Sequence, residues 1–183
     1  LEGSNKAKII IIQPFDDFEP ELLPGLKQQL SNLFRAEVII NKNKSLPQAL
    51  ADKFGGKFPA DSLLRLLEKE QTGRVVEVIG LTHKEIFIPK LLGGSSIPAI
   101  HPVRGYGYIA EGICIVSDHS LTSLDPRQTE ARLVKATLHE VGHNIGLAHC
   151  SSPGCIMLEQ SGDIVVLDKI AGSFCKQCKT QAN

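Results

Sequence analysis

The chain has 183 residues, 42% of them hydrophobic and 22% charged, which suits one globular domain with at most a small appendage. Twenty Lys plus Arg balance 20 Asp plus Glu, for a formal net charge of zero, so neither nucleic acid nor an anionic membrane surface has an electrostatic claim on it. The longest apolar runs, such as residues 9–12, are far too short to span a bilayer.

The N-terminal part alternates strand and helix patterns. Residues 8–13 are a β-branched run, read as a buried strand. Residues 20–33 carry Leu22, Leu23, Leu26, Leu30 and Leu33 at helical spacing, and 36–40 read as a second strand. A short helix over 61–70 buries Leu63, Leu64, Leu66 and Leu67, and 75–81 form a third strand. This order predicts an α/β fold with a mostly parallel sheet covered by helices. The Gly-, Pro- and Ser-rich stretch 91–107 reads as a loop. Strands over 106–110 and 112–117 lie too close in sequence to be anything but antiparallel neighbours. Residues 1–8 contain no apolar signal-peptide core, and a cytoplasmic protein is expected.

Asp125, Pro126 and Gln128 supply an N-cap, a first-turn proline and a capping-box partner for a long helix. Its core stripe is Val134, Leu138, Val141 and Ile145, and Gly146 ends it. On this helix stands H-E-V-G-H, residues 139–143. Residues four apart on a helix differ by about 40° in azimuth and about 6 Å in height, so His139 and His143 can reach one metal. Glu140 flanks that face, where it can take the proton of a metal-bound water without ligating. A straight helix would carry His149 about 9 Å too far along the axis. Gly146 can adopt positive φ and turn the chain back, which makes His149 the third ligand.

Four of the five cysteines, Cys150, Cys155, Cys175 and Cys178, fall in the last 34 residues. In a secreted chain they would make two disulfides; in a cytosolic one they read as a tetrahedral thiolate zinc site, the leading reading here. The segment after Cys150 has too few apolar residues for a core of its own, so some staple is required.

The full string H-E-x-x-H-x-x-G-x-x-H is the metzincin signature. Met157, the only methionine, lies eight residues past His149, where metzincins place a methionine turn beneath the metal. Together with the four cysteines this resembles the archaemetzincins, closely over 137–178 and only in element order upstream. The resemblance implies a twisted five-stranded sheet, mostly parallel with an antiparallel edge strand beside the cleft. It implies a catalytic zinc on His139, His143 and His149, Glu140 as base, Met157 as the floor, and a second, structural zinc on Cys150, Cys155, Cys175 and Cys178. The expected organisation is a single catalytic domain, with 1–149 as the main subdomain and 150–183 as a small stapled one.

The expected activity is hydrolysis of peptide bonds in a peptide or protein substrate, with two Zn²⁺ per chain and a monomer favoured. The alternatives are an amidase acting on a non-peptide amide and a zinc-dependent peptide-binding module. Glu140 speaks against the binding module, which needs no carboxylate beside the metal. A nucleic-acid zinc knuckle lacks a basic patch. Cys114 reads as a small core residue, His83, His101 and His119 as surface or loop histidines, and Tyr106 and Tyr108 as sheet-edge packing.

Overall fold

The computed structural model describes residues 8–18, 22–91, 99–159 and 163–181. The three β-branched runs form β1 (Ile9–Pro14), β2 (Glu37–Ile40) and β4 (Val75–Thr82), all parallel. β8 (Ile113–Ser117) adds in parallel to β4, and β7 (Gly105–Gly107) closes the edge antiparallel to β8. The sheet order is β2-β1-β4-β8-β7. The expected five-stranded sheet is present, but its edge strand spans 105–107 rather than 106–110. Ala110, at φ 62°, already lies in the turn to β8.

Period-two alternation sorts the side chains onto two faces. Ile10, Ile12, Ile79, Leu81, Cys114 and Val116 pack with α1 (Leu23–Phe34) and α3 (Pro126–Asn144). Ile11, Val78, Ile113 and Ile115 pack with α2 (Ala60–Leu67). The predicted start of the first helix, Pro20, lies outside the described residues.

The stretch read as a loop over 91–107 is partly strand. β5 (Ile86–Lys90) pairs antiparallel with β6 (Ala99–Val103) and parallel with β3 (Phe58–Pro59), making a second, three-stranded sheet. Prolines 89 and 102 donate no ladder hydrogen bond, which is why each strand reads poorly from sequence.

Asp125 caps α3 by accepting from the Arg127 amide at 3.0 Å. The capping box does not form. Gln128 accepts from the Ser123 hydroxyl at 2.6 Å and donates to Asp168 at 3.1 Å. Arg132 grips Asp168 with two bonds of 2.7 Å and so ties α3 to α4 (Ile164–Lys169). The C-terminal segment has no separate core. Cys155, Ile156, Met157, Leu167, Ile170 and Phe174 join the cluster on the α3 side, and α5 (Lys176–Gln181) contributes Cys178. Among the described residues no helix is long and apolar enough to cross a membrane.

Candidate metal centres

Three imidazoles converge where α3 ends. His139 and His143 project from its last turns. The chain then reverses at Gly146, whose φ is +90°. The Gly146 amide donates to the His143 carbonyl and the Leu147 amide to the Gly142 carbonyl, both at 2.9 Å. That pair of bonds is a Schellman stop. It turns the following residues back so that His149 faces the other two rings, with centroids 5.3 Å from His139 and 4.9 Å from His143.

The outer nitrogens are already engaged. His139 Nδ1 lies 2.7 Å from the Ile156 carbonyl, and His143 Nδ1 lies 2.8 Å from the Leu147 carbonyl. A carbonyl only accepts, so each Nδ1 carries the proton and each Nε2 presents a lone pair. Those two lone pairs face each other at 3.2 Å. Two acceptors at that distance repel unless a cation lies between them. Tetrahedral zinc with bonds of about 2.0–2.1 Å puts neighbouring nitrogens about 3.3 Å apart. The three histidines therefore fit a metal in donor chemistry and in spacing, with their ligand atoms within 4.8 Å of one another. Burial pushes His139 down to about 4, with the bond to Ile156 opposing, so the ring is a neutral ligand. Burial alone raises the Glu140 carboxyl to about 8; a divalent cation at the adjacent histidines would favour its charged form, a pull that Glu77, in its buried strand, does not share.

Cys150 and Cys175 Sγ are 3.8 Å apart, and Cys155 and Cys178 Sγ are 3.7 Å apart. A disulfide needs about 2.05 Å, whereas four thiolates about 2.3 Å from one zinc are separated by about 3.8 Å. The Ser152 amide approaches Cys150 Sγ at 3.4 Å, and the Cys175 amide approaches Cys155 Sγ at 3.3 Å. Amide donors of this kind support thiolate ligands. These four residues could hold a second metal.

Met157 is fully buried. It presses against Gly142, where any Cβ would collide with its sulfur. A glycine inside a helix costs about 1 kcal/mol relative to alanine, and this contact explains its presence. The turn at Met157 has two further duties: the Ile156 carbonyl orients His139, and the Met157 carbonyl accepts from the Cys150 amide at 2.8 Å.

A cleft of about 530 Å³ is lined by His139, Glu140 and His149 together with residues 101–103 of β6, Arg104, Gly105, His119 and Glu159. His101 and His119 are exposed, as expected, and both line this cleft. His83 is half-buried, bonded to Asp118 at 2.9 Å and stacked on Phe18. Tyr106 and Tyr108 pack on the α2 side of the sheet, and the Tyr108 hydroxyl donates to Asp61.

Gly105 lines the cleft although it belongs to no sequence motif. A Cβ there would lie 2.6 Å from Glu140 Cδ and Oε1. The structure places Gly105 within β7, and a glycine inside a strand marks a close approach. Gly105→Ala is expected to leave folding and metal content intact while cutting turnover roughly tenfold, about the effect of 1.4 kcal/mol on a barrier. Steady-state kinetics beside metal analysis check this, and parent-like turnover would remove Gly105 from the site.

Comparison with known proteins agrees with this geometry. A family model described as Peptidase family M54 matches residues 111–183. Archaemetzincin from Methanopyrus kandleri is 30% identical over 146 residues, covering 79% of this chain and 77% of that protein. The crystal structure of that archaemetzincin superposes with a TM-score of 0.79 at 25% identity, covering 100% of this chain and 97% of the other. The structure of archaemetzincin from Archaeoglobus fulgidus, complexed with malonate, gives 0.76 at 25% identity over 94% and 99% of the two chains. The likeness runs through the sheet and helices that aim the three histidines, and by it this chain belongs to the archaemetzincins and is a zinc metallopeptidase.

Proposed function

We propose that His139, His143 and His149 hold the catalytic zinc, that Glu140 is the general base, and that the activity is hydrolysis of peptide bonds. The observation that carries this is the pair of lone-pair nitrogens 3.2 Å apart, each locked in one tautomer by a backbone carbonyl. Zinc held by these three histidines would polarise a carbonyl and acidify water.

The chain's own groups do the rest. Glu140 follows His139 on the helix, so its carboxylate borders the cleft without joining the ligand set. There it removes the proton from attacking water and later delivers it to the leaving amine. Gly105 keeps that carboxylate's space free. Beside it, the outer edge of β7 offers backbone groups with which an extended substrate can pair as an added strand. Burial around Glu140 strengthens each of these interactions by excluding water.

Cys150, Cys155, Cys175 and Cys178 hold a second, structural zinc in this reading, for two ions per chain in one catalytic domain. The closed thiolate set is expected to retain its ion longer than the open histidine set. The test is a peptide-library digest during stepwise chelation, with elemental analysis at each step. Loss of the first zinc should abolish cleavage, and added zinc should restore it. One zinc per chain in fresh, reduced protein would contradict the second site. A parent that cleaves no peptide would place the binding module ahead.

A further inference from the structure

Glu77 sits where the strand pattern calls for an apolar residue. It shares the α3-facing side of β4 with Ile79 and Leu81, and only 3% of its surface is exposed. Its aim is set by a bulge. Ile9 pairs with Val75 and Ile10 with Glu77, leaving Val76 as an extra residue, and bulges re-aim the side chains beside them.

The carboxyl meets the end of the active-site helix. Asn144, the last residue of α3 and the neighbour of His143, donates from Nδ2 to Glu77 Oε1. Cys114 Sγ lies 3.9 Å from the same oxygen. Asn144 is 5% exposed, and its Oδ1 has no hydrogen-bond partner among the described residues. That oxygen faces Gly107 on β7, where a Cβ would come within 2.7 Å of it. The amide is thus wedged between β4 and β7. Desolvation raises the Glu77 carboxyl to about 8, so the partner is an uncharged acid near neutrality.

We propose that Glu77 is a positioning residue of the active site. Through Asn144 it fixes the last turn of α3, and with it the azimuth of His143 and the start of the turn that returns His149. A buried polar pair is a weak source of stability compared with apolar groups of similar shape, but it fixes one rotation of the helix end where apolar contacts would accept several. The proposal rests on the histidine zinc site described above.

The test compares the parent, Glu77→Gln, and the paired change of Glu77→Leu with Asn144→Leu. Zinc release to a chelator is measured by stopped flow, and amide exchange at Gly146 and Leu147 is measured in zinc-free protein. The paired variant should melt near the parent, release the histidine-site zinc roughly tenfold faster, the lower end of what supporting residues contribute, and exchange both amides faster. Glu77→Gln keeps an acceptor for Asn144 and should match the parent in both readouts. Parent-like release and exchange in the paired variant, or equal damage in Glu77→Gln, overturns the proposal. If the paired variant does not fold, Asn144→Ala carries the same expectation, and a parent-like rate there also overturns it. His143→Ala, run alongside, should lack the labile zinc. A parent without a labile zinc would sink the histidine-site reading and this proposal together, whereas parent-like release in the paired variant sinks the proposal alone.

Discussion

Glu140→Gln should fold, carry its full zinc complement and lose hydrolysis by about 10²–10⁴-fold, the range for general acid–base help from one positioned side chain. The substitution changes one oxygen to an NH₂ group. Size, helix propensity and fit beside Gly105 are preserved, and no histidine is disturbed. What disappears is the ability to accept a proton. His143→Ala provides the contrast, because it removes one of the three proposed ligands, a ring whose Nδ1 is braced on the Leu147 carbonyl. Two remaining imidazoles hold zinc poorly, so that variant loses activity and metal together. Zinc content and initial rates on one substrate from the library screen separate the two outcomes. Cleavage by Glu140→Gln at the parent's rate would show that another group moves the proton.

The parts of this molecule that could be read from sequence are those set by local periodicity. The buried strands announce themselves as β-branched runs because both faces are covered. The helix bearing His139 and His143 is marked by Asp125, Pro126 and the stripe ending at Ile145. Gly146 could be assigned its turn because the distance to His149 admits no straight continuation.

Features that depend on distant neighbours stayed hidden. β5 and β6 each contain a proline and lie among glycines and serines, so their pairing shows only once β3 is beside them. Gly105 and Gly142 are ordinary glycines in sequence; their purpose is the space taken by Glu140 and Met157. Gln128 had the right offset for a capping box, yet Ser123 and Asp168 claim its side chain. Glu77, read locally, is one polar residue in an apolar strand.

Cys175→Ser is expected to disturb the histidine site from a distance, and the route is short. Cys155 is followed directly by Ile156, whose carbonyl fixes the His139 tautomer, and by Met157, which fills the space left by Gly142. Cys150 adjoins His149, and its amide is held by the Met157 carbonyl. Both ends of the turn that braces His139 are therefore anchored by cysteines of the same cluster. Apparent binding energies of structural zinc in small modules are about 10–16 kcal/mol, expressed largely as folding. The segment 150–181 shares the α3 core and the Arg132–Asp168 bond but has no core of its own to replace that contribution. Loss of one thiolate should therefore lower the melting temperature, open residues 151–178 to proteolysis, and weaken zinc at the histidines although none of them has changed. Differential scanning calorimetry, limited proteolysis and a zinc titration of the histidine site measure the three effects. If Cys175→Ser melts with the parent, resists protease equally and keeps full activity, the four sulfurs are not the staple, and the turn at Met157 is held by apolar packing alone.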